Sequence, residues 1–437
     1  MSAATRRRPL WLLLLPAFVP VVVLVLCVGL FLFFRQGGLE PLRVPTGTGT
    51  PAPTDAASIE RGRYLARVGN CDTCHTPRGG APYTGGRAFP TDWGTVFSTN
   101  LTPDPDTGLG DWSLEEFRHA MRHGVSRTGM LYPVFPYANF ALLEDADLDA
   151  LFAYLHSLEP VRAEAPANRL DWPASWRPVL LGWRMLYHRP RTPGEVPDRS
   201  ESWNRGRYLV DGLAHCDMCH SERGRFASLP GERYLAGGII PGQGWYAPPL
   251  TRSTLERFPV DDLAHYLRSG VSLQAAASGP MAEVIFTSLQ HLDAADAEAI
   301  ATYIKDVPDR ARPGSRDLVS ERSTTAMAGN GRTLYEDHCA QCHGSDGRGR
   351  GMDYPALAGN PALTVNDPVN AVRLVLYGGV PPTTALNPRP HSMPPFAHTL
   401  SDADVAAVVT YVRGAWGNRG TAVSADQVQR MRGMRID

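Results

Sequence analysis

The sequence predicts an all-α chain: three small helical domains in tandem behind an N-terminal membrane-crossing helix. Three observations predict it. A short grammar of residues recurs three times along the chain. Each copy closes on a segment with the apolar spacing of an amphipathic helix packed on a core. An uncharged, mainly apolar stretch precedes all three copies.

The bulk properties agree. A length of 437 residues suits two to four domains. With 43% hydrophobic and 20% charged residues the chain can bury globular cores. A net charge of −1 and the lack of a basic domain exclude nucleic acid as a partner.

The first element is the N-terminal run. Arg6, Arg7 and Arg8 precede 26 residues from Pro9 to Phe34 without a charge. As a helix that run would cross a hydrocarbon core of about 30 Å, although Pro16 and Pro20 would kink it. A cleavable signal peptide has a shorter apolar core, roughly 7–15 residues, and a small-residue cleavage site. Here the run ends in Phe33-Phe34-Arg35. The reading is a retained single-pass anchor over 1–36, with the arginines on the cytoplasmic side, and a Gly/Pro/Thr-rich tether over 37–57.

The three domains come next, over 58–162, 200–310 and 326–420, with linkers at 163–199 and 311–325. The first opens Arg61-Gly62-Arg63-Tyr64-Leu65, the second Arg205-Gly206-Arg207-Tyr208-Leu209, and the third Gly331-Arg332-Thr333-Leu334-Tyr335. Each closes on a helix-like segment after an acidic start, ending near Leu155, Ile304 and Val412. Between lie further helical stretches, such as Leu114 to Arg122 and Val260 to Leu267. The tail, 421–437, is polar and mixed and receives no role.

Each opening leads to the pattern Cys-x-x-Cys-His. The copies are Cys71-Asp72-Thr73-Cys74-His75, Cys216-Asp217-Met218-Cys219-His220 and Cys339-Ala340-Gln341-Cys342-His343. This is the signature of c-type haem attachment. Two thiols at this spacing reach the two vinyl groups on one porphyrin edge, and the adjacent histidine stands beside the iron as its ligand. One copy could be a redox dithiol; three copies in matching contexts could not. A tetrahedral zinc set fails because the pairs belong to separate domains. The seventh cysteine, Cys27, lies in the apolar run, so no disulfide framework remains. The expectation is three haem c groups on Cys71/Cys74, Cys216/Cys219 and Cys339/Cys342, with His75, His220 and His343 as axial ligands.

The sixth ligands are less uniform. Met281 and Met393 sit in proline-containing loops 11 and seven residues before the closing helices' Leu292 and Leu400. A thioether there would raise the iron's reduction potential relative to two histidines. In the first domain the position resembling Met393 is Phe135, which cannot ligate iron. Met130, 13 residues before Leu143, is the candidate there, with His119, His123 or an open site as alternatives. Met121 falls inside a helical run and reads as core.

At this point the chain resembles the tri-haem cytochrome c subunits of bacterial membrane-bound dehydrogenases for alcohol, gluconate, sorbitol and aldehyde. The resemblance covers roughly 57–418. Besides the openings it rests on Leu131-Tyr132-Pro133, Met281-Ala282-Glu283-Val284, Ser288-Leu289-Gln290 and Trp416-Gly417-Asn418. It implies a non-catalytic subunit that passes electrons from a separate dehydrogenase subunit to ubiquinone at the bacterial cytoplasmic membrane, with the haem domains in the periplasm. The Phe135-Pro136-Tyr137 form is more like members that accompany molybdenum-containing aldehyde or heteroaromatic dehydrogenases. That implies a molybdopterin-bearing catalytic partner with an iron–sulfur subunit, the aldehyde type being favoured. Partners containing a quinone cofactor or flavin are the nearer alternative. A multihaem peroxidase or a terminal-oxidase cytochrome subunit is the alternative of another class.

Three features stand apart. Gly347, Gly349 and Gly351 imitate a nucleotide loop but follow a haem motif rather than a strand, so they read as a turn. The segment from Trp172 to Tyr187 carries three tryptophans and two arginines, suiting a membrane surface, a partner, or a cover over the neighbouring domains. Arg63, Arg78 and Arg207 could pair with haem carboxylates or face solvent.

Overall fold

A computed structural model describes residues 20, 23–33, 42–45, 51–188, 191–224, 226, 228, 231, 233–309, 321–365 and 367–433; over 321–329 only the backbone is described. The first copy of the repeat folds as α1 (Ala56–Val68), α2 (Leu114–His123) and α3 (Asp145–His156). The connecting segment forms α4 (Arg177–Tyr187). The second copy gives α5 (Glu201–Arg207), α6 (Val260–Ser269), α7 (Pro280–Thr287) and α8 (Ala294–Asp306). The third gives α9 (Glu321–His338), α10 (Val369–Tyr377) and α11 (Asp402–Gly414), followed by α12 (Ala425–Arg432). Starts are set by side-chain caps: Asp55, Ser113, Ser200, Ser401 and Ser424 each accept a backbone N–H of the following turn.

The recurrent glycine of the opening motif explains how each copy packs. In every copy the opening helix crosses the closing helix (α1 on α3, α5 on α8, α9 on α11). At the crossing a Cβ on Gly62 would lie 1.8 Å from the Ala150 carbonyl oxygen. On Gly206 it would lie 2.0 Å from Ala299 O, and on Gly331 2.2 Å from Ala407 O. Only hydrogen fits, so the backbones meet directly. Gly206→Ala is therefore expected to destabilise the second copy by about 3 kcal/mol, the upper end of ordinary overpacking. The urea midpoint of the domain transition should fall, and an unchanged midpoint would contradict the close crossing.

The first two copies are one unit. Their buried apolar residues, from Leu65 through Leu148 and Leu209 to Ile304, form a continuous core, whereas the third copy has its own around Tyr335, Val372 and Val405. Polar groups clasp the first two reciprocally. Arg61 pairs with Asp147 at 3.0 Å, and Tyr208 of the second copy donates to that carboxylate at 2.6 Å. Arg205 pairs with Asp296 at 2.8 Å, and Tyr64 of the first copy donates to it at 2.5 Å. The third copy has Asn330 and Thr333 where these arginines and tyrosines stand, so it cannot join the clasp.

The second copy has ten residues from its crossing glycine to its first cysteine, one more than the first. A π-helical turn at Tyr208–Leu213 absorbs the extra residue. The turn buries Asp211, which accepts from Tyr234 and Tyr303 and pairs with Arg191 at 3.3 Å.

Three readings of the sequence are modified. The chain is helix-rich but not purely helical: its loops contain β1 (Ala88–Thr91), β2 (Gly94–Phe97), β3 (Val125–Ser126), β4 (Gly129–Met130), β5 (Arg169–Leu170), β6 (Gly238–Ile240) and β7 (Trp245–Ala247). They form small antiparallel sheets in the orders β1-β2-β5, β3-β4 and β6-β7. The tail has a structural part after all. Val423 and Val428 are buried in the third core, and Arg432 pairs with Asp402 at 2.7 Å. Last, the single-pass anchor, with the domains held beyond a cytoplasmic membrane, is not borne out. Among the described residues no helix is long and apolar enough to cross a membrane. Within the expected anchor, residues 20 and 23–33 are helical. Residues 1–19, 21, 22 and 34–36 of the expected anchor, and 37–41 and 46–50 of the expected tether, lie outside the described residues.

Candidate functional site

The three Cys-x-x-Cys-His motifs each begin a short helical turn after an opening helix. All six cysteines are free of disulfides. Burial pushes the Cys71 and Cys216 thiols up to about 12 and those of Cys74 and Cys339 up to about 11. Such thiols are not ionised at neutral pH, which a redox dithiol would require.

A repeated hydrogen bond orients each histidine. His75 Nδ1 lies 2.7 Å from Thr99 O, His220 Nδ1 2.7 Å from Pro248 O, and His343 Nδ1 3.0 Å from Pro355 O. A carbonyl oxygen only accepts, so each Nδ1 carries the proton and each Nε2 keeps its lone pair for a metal. Burial lowers all three imidazole pKa values and holds them neutral.

The loop after each histidine is pinned in the same way. Gly85, Gly237 and Gly349 donate their N–H to the carbonyls of His75, His220 and His343 at 2.6, 2.8 and 2.9 Å. All three glycines have positive φ, at 74°, 80° and 70°. A Cβ at Gly85 would come within 2.4 Å of Thr99, the residue whose carbonyl accepts the imidazole N–H, and one at Gly349 within 2.2 Å of Tyr354. Leu101, Leu250 and Leu357, two residues beyond each accepting carbonyl, donate back to Tyr83 O, Leu235 O and Gly347 O. The glycine run of the third copy is thus a turn that holds His343.

One cavity of about 1990 Å³ is lined by His75, His220 and His343. Met130, Met281 and Met393 line it too, each from the same copy as one of the histidines. Met281 stands in the first turn of α7, and Met393 is bridged to Gly379 after α10. Met130 pairs with Val125 across the β3-β4 hairpin. Phe135 and Met121 also line the cavity, but His119 and His123 do not. Those two rings lie tilted against each other with centroids 4.7 Å apart, and His123 opens onto a separate recess with His188. Neutral imidazoles with free Nε2, thioethers in the same cavity and paired cysteines at each histidine suit haem c. As a group, haem c would supply a one-electron iron centre.

The connecting helix acts as a cover over the neighbouring copies. α4 covers the first copy with buried Leu180 and Arg184; Arg177 donates to Met130 O at 2.5 Å and Arg184 to His123 O. Trp183 reaches Phe226 O of the second copy at 2.7 Å, while Trp172 and Trp176 remain exposed. Of the arginines considered as carboxylate partners, Arg63 pairs with Glu60 at 3.4 Å and Arg207 with Asp211 at 3.7 Å.

Comparison with known proteins fits this picture. A family profile described as Cytochrome c matches residues 59–159 and 328–416. The cytochrome c subunit of alcohol dehydrogenase (quinone) from Gluconobacter oxydans is 38% identical, over 90% of this chain and 85% of that protein. The gluconate 2-dehydrogenase cytochrome c subunit of Pantoea cypripedii is 38% identical, over 86% and 90%. One subunit of the nicotinate dehydrogenase of Pseudomonas putida is 41% identical over 88% of this chain and 33% of its own length.

Proposed function

Because the chain belongs to the family of cytochrome c subunits of quinone-linked dehydrogenases, it is an electron-transfer subunit rather than a catalytic enzyme, and we propose that it carries three haem c groups and relays electrons from its dehydrogenase partner to ubiquinone. Cys71/Cys74, Cys216/Cys219 and Cys339/Cys342 form the thioethers. His75, His220 and His343 are the proximal ligands, and Met130, Met281 and Met393 the distal ones. The observation that carries this reading is the threefold Nδ1-to-carbonyl bond beside a single shared cavity. It prepares three identical metal-binding tautomers along one channel.

The partner is a molybdopterin-bearing catalytic subunit with iron–sulfur clusters, oxidising an aldehyde or a nitrogen heteroaromatic compound. Phe135-Pro136-Tyr137 supports that class, as does the 41% identity to a nicotinate dehydrogenase subunit. Held by a histidine and a methionine of each copy, the irons would offer substrate no open position, which is the physical argument against a peroxidase.

Ligation can be tested one residue at a time. Met130→Ala, Met281→Ala and Met393→Ala are each expected to abolish one methionine–iron charge-transfer band and to lower one reduction potential. His119→Gln and His123→Gln should leave the spectrum unchanged. Retention of the full spectrum by Met130→Ala would overturn the assignment at the first iron.

A further inference from the structure

The junction between the second and third copies contains a polar contact that the electron relay itself does not use. Trp245, in β7, lines the shared cavity close to the loop that presents Met281. The loop rests on its ring: a Cβ at Gly279 would lie 2.7 Å from the indole. From the third copy, Arg373 of α10 stacks on the same indole, its guanidinium carbon 4.7 Å from the centroid. Asn370, one turn earlier on α10, exchanges hydrogen bonds with the Tyr246 backbone at 2.9 and 2.7 Å and so fixes this register.

The charge is unusual. Arg373 is 3% exposed, its Nη1 donates to Gly244 O at 3.3 Å, and its Nε has no acceptor among the described residues. No carboxylate among the described residues pairs with it. An aromatic face attracts a guanidinium stacked on it. A buried positive charge disfavours further positive charge nearby and is weakly screened, so it favours the ferrous state of an adjacent iron.

We propose that Trp245 and Arg373 are a positioning pair through which the third copy tunes the second haem site. Arg373 fixes the indole that supports the Met281 loop, and its positive charge raises the reduction potential at that site. The proposal rests on Met281 being the ligand of the second iron. Neither residue touches the iron; both act through the loop and the field.

The test is a redox titration of the full chain with its haems, read together with the charge-transfer bands. Arg373→Met keeps the bulk without the charge. It should lower one titration wave, or the second and third together, leave the first unchanged and keep every band. Arg373→Lys should recover most of the shift. Trp245→Leu should weaken the band that Met281→Ala abolishes, whereas Trp245→Phe keeps it. Unchanged potentials in Arg373→Met, or an equal fall of all three waves, would overturn the pair's role. If Met281→Ala leaves every band intact, the ligation itself is wrong and the proposal falls with it. A normal response to Met281→Ala with silent Arg373 and Trp245 variants would refute the pair alone.

Discussion

Replacing both Cys339 and Cys342 by alanine is expected to remove one haem and unfold the third copy while leaving the first two folded. The third copy has a separate core and lacks the arginine–tyrosine clasp, so its failure need not spread. A haem in a domain of this size would form part of the interior, and losing it would leave a cavity that costs about 24 cal/mol per Å³ against a typical domain stability of about 5–15 kcal/mol. Replacing Cys71 and Cys74 should behave differently. The first two copies share a continuous core, and Asp147 and Asp296 each bind groups from both. Loss of the first haem should therefore destabilise both. Limited proteolysis with haem-stained gels separates the cases. Retention of three haems in the Cys339/Cys342 variant would defeat the attachment scheme, and an intact second copy in the Cys71/Cys74 variant would defeat the shared-core account.

The sequence exposed the chemistry more readily than its supports. The cysteine pairs and histidines are visible because the proposed covalent attachment would demand contiguous residues at fixed spacing. The crossing glycines were visible as a recurring residue, but their purpose appears only once Ala150, Ala299 and Ala407 are seen against them. The carbonyls that set the histidine tautomers were missed. They lie 24, 28 and 12 residues after their histidines, and a backbone acceptor leaves no side-chain signature. A signal did exist, in Thr99-Asn100-Leu101, Pro248-Pro249-Leu250 and Pro355-Ala356-Leu357, where a leucine follows each acceptor by two positions.

The clasp was partly legible, since Arg-Gly-Arg-Tyr-Leu occurs twice and fails in the third copy, yet its reciprocal use of Asp147 and Asp296 is a tertiary fact. The membrane anchor went the other way. An apolar run satisfies a sequence criterion for length, but among the described residues no helix is both long and apolar enough to cross a membrane.

The second large effect concerns the complex. Deleting this chain should leave the catalytic partner able to oxidise its substrate with an artificial dye and unable to reduce ubiquinone. The residual quinone reductase activity should fall to background, a loss of at least about a hundredfold, equivalent to roughly 2.7 kcal/mol or more in barrier terms. Restoring the intact chain should restore quinone reduction. A chain lacking the third haem should not, if all three sites belong to one path.

The most direct measurement follows the chain's own iron centres through a single cycle. The purified chain is mixed with its substrate-reduced catalytic subunit without oxygen, then with a short-chain ubiquinone, while the α-band absorbance is recorded. The account predicts reduction equivalent to three covalently bound haems per chain, followed by complete reoxidation when the quinone is added, and no substrate turnover by the chain alone. Haems that stay oxidised beside the reduced partner, or stay reduced in the presence of ubiquinone, would contradict it.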